Sequence, residues 1–124
     1  MTIVRGTASH TISADILLNP GDYYALARTD GAFTGVKYVY SSVSLTNSNS
    51  TLSIYRITGT DSILIAQQSY GIAGFPNESG KSISLCTNYY NSVDAEMGSS
   101  WYLSTLTYNT GDFGTPGLPN EACP

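Results

Sequence analysis

Charge is scarce in this chain: Asp, Glu, Lys and Arg make up 11% of its 124 residues, with a net charge of −4. The cations Arg5, Arg28, Lys37, Arg56 and Lys81 are scattered, so there is no basic stripe to follow a phosphate backbone, and nucleic-acid binding is excluded as a main activity. Histidine is rarer still. His10 is the only one, it lies among Ser and Thr, and no Cys or carboxylate stands near it at ligand spacing. A zinc centre or a Ser-His-Asp arrangement would need partners from far along the chain, and an exposed loop histidine is the simpler reading. Asp94 and Glu96 stand two apart, but nothing supplies the second, distant carboxylate of a glycosidase cleft. The pairs Asp30-Gly31 and Gly111-Asp112 lack the ladder of acids that gives calcium its oxygens. Gly111, Gly114 and Gly117 are spaced like a phosphate loop, yet no helix follows and Pro116 interrupts them, so they read as turn glycines. The expectation is a chain without cofactor or metal, and not an enzyme.

Long apolar runs are also missing, which removes a membrane-spanning helix, and Met1-Thr-Ile-Val-Arg5 lacks the basic head and apolar stretch of a signal peptide. A soluble single domain over residues 1–124 is expected. Cysteine is limited to Cys86 and Cys123, an even count compatible with one disulfide in an oxidising compartment; the alternative is two unpaired thiols in a reducing cytosol. The disulfide is preferred, because Cys123 lies in a tail with no other evident anchor.

Strand signals recur along the chain and helix signals do not. Short β-branched or apolar runs occupy Thr2 to Arg5 and Thr11 to Leu18. Asn19-Pro-Gly-Asp22 follows as a turn, since Pro sets φ and Gly supplies a positive φ. Tyr23 to Thr29 and Val36 to Tyr40 read as strands, and Ser42 to Leu45 is expected to form a hairpin with Thr51 to Ile57 across Asn47-Ser-Asn-Ser50. Ser62 to Tyr70 is a continuous apolar run and predicts a strand at a sheet centre, buried on both faces. From Gly71 onward, apart from Lys81 to Cys86, a long irregular strap is expected, pinned by a largely buried Trp101 and by the disulfide.

Five segments carry a resemblance: Leu18-Asn-Pro-Gly-Asp-Tyr-Tyr-Ala-Leu-Ala27, Ser44-Leu-Thr-Asn-Ser-Asn-Ser-Thr-Leu-Ser-Ile-Tyr55, Gly80-Lys-Ser-Ile-Ser-Leu85, Gly98-Ser-Ser-Trp-Tyr102 and Gly111-Asp-Phe-Gly-Thr-Pro-Gly-Leu-Pro-Asn120. Together the chain resembles the lamin tail domains of secreted prokaryotic proteins over nearly its whole length. The resemblance implies an all-β, immunoglobulin-like β-sandwich used for binding and assembly, and it implies no reaction. It also shows a departure. The family's usual first two strands have no counterpart here, and Thr2-Ile-Val-Arg-Gly-Thr-Ala8 matches the strand that follows them. Either the gene product continues upstream of Met1 or another polypeptide fills the gap, because a sandwich without its first strands exposes core and an unpaired edge.

What the chain does have is tyrosine, ten of them. Tyr offers large amphipathic area at low entropic cost and is enriched at interfaces. Tyr38 and Tyr40 share a strand face and Tyr89-Tyr90 stand together in a loop, so these four are the candidate interaction surface. The function expected from this pattern is an extracellular or cell-surface, non-catalytic structural subunit. It would assemble into oligomers or filaments with copies of itself or with a host surface protein by strand or edge complementation, with Thr2 to Leu18 as donor. The alternative is an accessory recognition module of a secreted hydrolase or surface protein, binding polysaccharide through aromatic faces, with Tyr38 and Tyr40 carrying the contact.

Overall fold

The chain turns back on itself first at Gly6-Thr7, where a φ of 57° at Gly6 closes a tight hairpin between β1 (Thr2–Arg5) and β2 (Ala8–Thr11). The computed structural model describes all of residues 1–124. The remaining strands are β3 (Leu26–Ala27), β4 (Tyr38–Val39), β5 (Ser50–Thr58), β6 (Asp61–Tyr70), β7 (Ile83–Leu85), β8 (Trp101–Leu103), β9 (Thr107–Asn109) and β10 (Asp112–Phe113). One helical turn, α1 (Ser92–Ala95), and two 3-10 turns, Thr87–Tyr89 and Gly98–Ser100, lie between β7 and β8. The result is a small β-rich fold whose main sheet runs β2-β1-β5-β6, all antiparallel, beside three separate two-stranded pairs: parallel β3-β4, antiparallel β7-β8 and antiparallel β9-β10.

The main sheet is two-sided in chemistry, as period-2 alternation requires. Ile3, Leu52 and Ile54 lie on one face, and Ile3 and Leu52 join Leu26, Tyr40, Val43 and Leu45 around an apolar cavity of about 130 Å³. On the other face hydroxyls and an amide link neighbouring strands: Thr2 to Thr11 and Thr51 to Ser69 at 3.2 Å each, and the Ser53 hydroxyl donating to Gln67 at 3.3 Å. The core itself is thin. Only ten residues are buried, and five of them are Ser or Thr, so burial alone leaves this fold with little margin. Val43 and Ser104 are the fully enclosed side chains, and the Ser104 hydroxyl meets Ser84 at 2.8 Å.

The C-terminal third is more ordered than a strap. Ser82 N–H donates to Phe113 O at 2.9 Å and Phe113 N–H to Gly80 O at 2.8 Å, which seats the β9-β10 hairpin on the approach to β7. Beyond it, Asn120 donates to Leu85 O at 2.8 Å and Tyr102 donates to Glu121 O at 2.7 Å. Cys86 and Cys123 are joined, with Cα atoms 5.2 Å apart and a sequence separation of 37.

Several expectations are corrected here. The Ser62-to-Tyr70 run is an edge strand, not a sheet centre: β6 ends the sheet order, and residues 61–67 are all exposed. An unbroken apolar run does not reveal whether a partner strand exists, and here none lies on its outer side. The long hairpin falls one segment later than expected, joining β5 to β6 across Gly59-Thr60, because the Gly59 φ of 61° suits a tight turn while Val43 is drawn into the core. Thr11 to Leu18 does not form a strand; the Gly6-Thr7 turn fixes β2 at Ala8–Thr11, and residues 12–18 lie outside every sheet. Thr2–Arg5 and Ala8–Thr11 pair with each other within the chain, and β2 forms the sheet's other edge. Trp101 is of intermediate burial, its indole N–H donating to Ala95 O at 2.8 Å.

Candidate interaction sites

The outer edge of β6 is the longest unpaired strand edge, and its apolar side chains are in water: Ile63 is 52% exposed, Leu64 49% and Ile65 55%. A register shift explains why three consecutive residues behave alike. Ile54 pairs with Ala66 and Tyr55 with Leu64, which leaves Ile65 as the extra residue of a bulge. That bulge turns Ile65 toward an open groove of about 500 Å³, lined also by Leu52, Ile54, Ala66, Leu85, Tyr90 and Ala95. The far wall of the groove is built by α1. Asn91 caps it, its side-chain oxygen accepting from Val93 N–H at 3.1 Å and Asp94 N–H at 2.9 Å while its amide donates to the Asp94 carboxylate at 2.6 Å. Asp94 is thus occupied in the helix cap.

The four singled-out tyrosines are divided by the fold. Tyr38 and Tyr40 are both half-buried and both lie edge-on to His10, with ring centroids at 5.6 and 6.4 Å. Ser41 N–H donates to His10 Nδ1 at 3.2 Å, which places the ring proton on Nε2, and Nε2–H then donates to the Tyr38 oxygen at 3.0 Å. The same oxygen accepts from Ser13 N–H at 3.2 Å. Tyr38 is therefore a clasp between β2 and β4, and His10 is not the exposed loop residue that the sequence suggests. Tyr40 lines the apolar core cavity, and burial, partly offset by the Arg28 guanidinium, pushes its hydroxyl up from the usual 10.0. Tyr89 and Tyr90 remain exposed and face different hollows: Tyr90 the groove beside β6, Tyr89 a second cleft against the disulfide.

That second cleft, about 280 Å³, lies between the two 3-10 turns, the start of β8 and the tail, and Cys86, Asn88, Tyr89, Ser99, Ser100, Trp101, Tyr102, Cys123 and Pro124 line it. No three His, Cys, Asp or Glu side chains stand together as a metal site anywhere in the chain. No helix is long and apolar enough to cross a membrane.

No family model matches this chain, and neither a curated protein nor a solved structure does.

The sequence reading missed the β6 edge and the disulfide cleft. A signal for the first was present, since a continuous apolar run fits an unpartnered edge as well as a centre. For the second there was none: Asn88 and Tyr89 reach Ser99, Trp101 and Tyr102 only because β7 and β8 pair antiparallel and bring both 3-10 turns to one end.

Proposed function

We propose that this chain is an extracellular, non-catalytic structural subunit of lamin-tail-like, sandwich-derived architecture, which assembles with copies of itself through the edge of β6. One observation carries the reading: a ten-residue edge strand exposes its backbone donors and acceptors beside three consecutive half-exposed apolar side chains. Long, apolar, unprotected edges are templates for strand addition, and monomeric proteins blunt them with charge, proline or a covering loop. β6 has only Asp61, at its very start. The disulfide supports an oxidising location outside the cell.

The donor suggested by the fold is the arm of residues 14–18. It is tied at one end by the Ser13 contact to Tyr38 and at the other by a turn in which Asp22 N–H donates to Asn19 O at 3.0 Å. Between those ties Leu17 is 85% exposed and Leu18 47%. Laid along β6 of a second copy as a strand, the arm places Ala14, Ile16 and Leu18 on the groove side and Asp15 and Leu17 on the other. Sedimentation over a wide concentration range tests the proposal. Wild type is expected to exceed the 13.2 kDa monomer and to dissociate on dilution, and Leu64→Lys/Ile65→Lys is expected to stay monomeric with its fold intact. A wild-type chain that remains at monomer mass up to about 1 mM, a weak affinity by ordinary standards, overturns it.

A further inference from the structure

We infer that the cleft against the Cys86–Cys123 disulfide is a binding site for a neutral saccharide, a role separate from the β6 edge and independent of assembly. Its lining is aromatic and amide-bearing, with Tyr89, Trp101 and Tyr102 beside Asn88, and it contains no charged side chain. An anionic ligand would find no counter-ion there. A purely apolar one would leave Asn88, Ser99 and Ser100 without partners, at the cost that unpaired polar groups carry. A sugar ring answers both demands, since its C–H faces suit the electron-rich faces of aromatic rings and its hydroxyls both donate and accept.

The site is built rather than incidental. Ser100 is only 5% exposed and lines the cleft, held by its backbone N–H donating to Met97 O at 2.9 Å and its carbonyl accepting from Cys86 N–H at 2.9 Å. Trp101 and Tyr102 already have their polar ends satisfied at Ala95 O and Glu121 O, so neither ring needs to reorganise on binding. Phe75 packs on Trp101 with centroids 6.1 Å apart, and the disulfide holds the tail as the remaining wall. Tyr89, 41% exposed, is the aromatic most open to solvent and the natural platform. A volume of about 280 Å³ suits one sugar unit of a chain that continues into solvent through the open side.

Trp101 is the only tryptophan, so its emission reports directly on the cleft. The disulfide-intact chain is titrated with hexamers of β-1,4-glucose, β-1,4-N-acetylglucosamine, β-1,4-mannose and α-1,4-glucose, with amide chemical shifts recorded in parallel. At least one is expected to give a saturable change centred on residues 86–89 and 99–102. Tyr89→Ala and Asn88→Ala, both at exposed positions, are each expected to weaken it about tenfold. Tyr90→Ala, next in sequence but facing the other groove, is expected to leave it within about twofold. The inference is overturned if no hexamer gives a saturable change, if the Tyr89 and Asn88 variants bind like wild type, or if Tyr90→Ala loses as much as Tyr89→Ala.

Discussion

Replacing both cysteines, Cys86→Ser with Cys123→Ser, isolates what the disulfide contributes to a fold with so thin a core. The bond closes a loop of 37 residues. Releasing that constraint returns about 13 cal/mol/K to the unfolded chain, or about 4 kcal/mol at 25 °C. A domain of this length is ordinarily stable by roughly 6–19 kcal/mol, and ten buried residues place this one toward the bottom of that range. The double variant should therefore keep about 2 kcal/mol. An unfolding entropy of roughly 0.26 kcal/mol/K for 124 residues translates the loss into a drop of about 15 °C in Tm. The tail keeps its bonds from Asn120 to Leu85 O and from Tyr102 to Glu121 O in the folded state, because the entropy acts on the unfolded chain. Near-UV dichroism of the variant at 10 °C should thus match wild type while the melt moves. The assay is a pair of urea titrations with free thiols excluded, read by Trp101 emission. A difference below about 1 kcal/mol with an unchanged m-value would refute the chain-entropy account. A variant unfolded at every temperature would show that the loop also carries native packing.

Two further outcomes follow from local geometry. A Cβ built at Gly98 would lie 2.1 Å from Gly74 O and 2.3 Å from Gly74 C, so two backbones meet there; Gly98→Ala is expected to cost about 1–3 kcal/mol by chemical denaturation and to disturb the Phe75 contact with Trp101. Hydrogen bonding from the Thr105 side chain, opposed by burial and reinforced by the Thr105 amide, holds the Glu121 carboxyl below its ordinary 4.5. A depressed carboxylate stabilises the fold above its unfolded-state value and loses that contribution as pH falls through the lower folded value. The Tm difference between wild type and Glu121→Gln should therefore be constant above about pH 5 and shrink as the pH is lowered from there; a difference unchanged down to pH 2 removes the tail clasp from the account.

Where the sequence was legible, a local rule and the tertiary outcome agreed. Asn19-Pro-Gly-Asp22 turns because Asp22 can reach back to the Asn19 amide at 2.8 Å, and β5 alternates as its side chains said it would. Where it was not, the deciding interaction was remote. Tyr38 looks like any surface tyrosine until His10, 28 residues earlier, is set against it by the Gly6-Thr7 turn. Ile63 to Ile65 look like core because nothing in a single chain announces that its last sheet neighbour is missing. The β8 and β9-β10 strands were hidden among glycines and polar residues, and they exist because Ser82, Ser104 and Phe113 exchange backbone bonds across the sequence. The disulfide cleft follows from the same long-range pairings and was legible only as two cysteines and some aromatics.

The main sheet has two unlike borders, a four-residue one at β2, which runs on into the exposed arm, and a ten-residue one at β6. If the arm of one copy meets β6 of the next, each added copy presents a different surface from the one it consumes, and the polymer has a front and a back. Growth then proceeds at two chemically distinct tips with their own rates. A copy whose β6 is blocked but whose arm is intact still joins one tip and then ends it, so a small fraction of such chains shortens every filament in proportion to its dose. Blocking the arm instead seals the opposite tip, and the two defective forms together can make nothing longer than a pair.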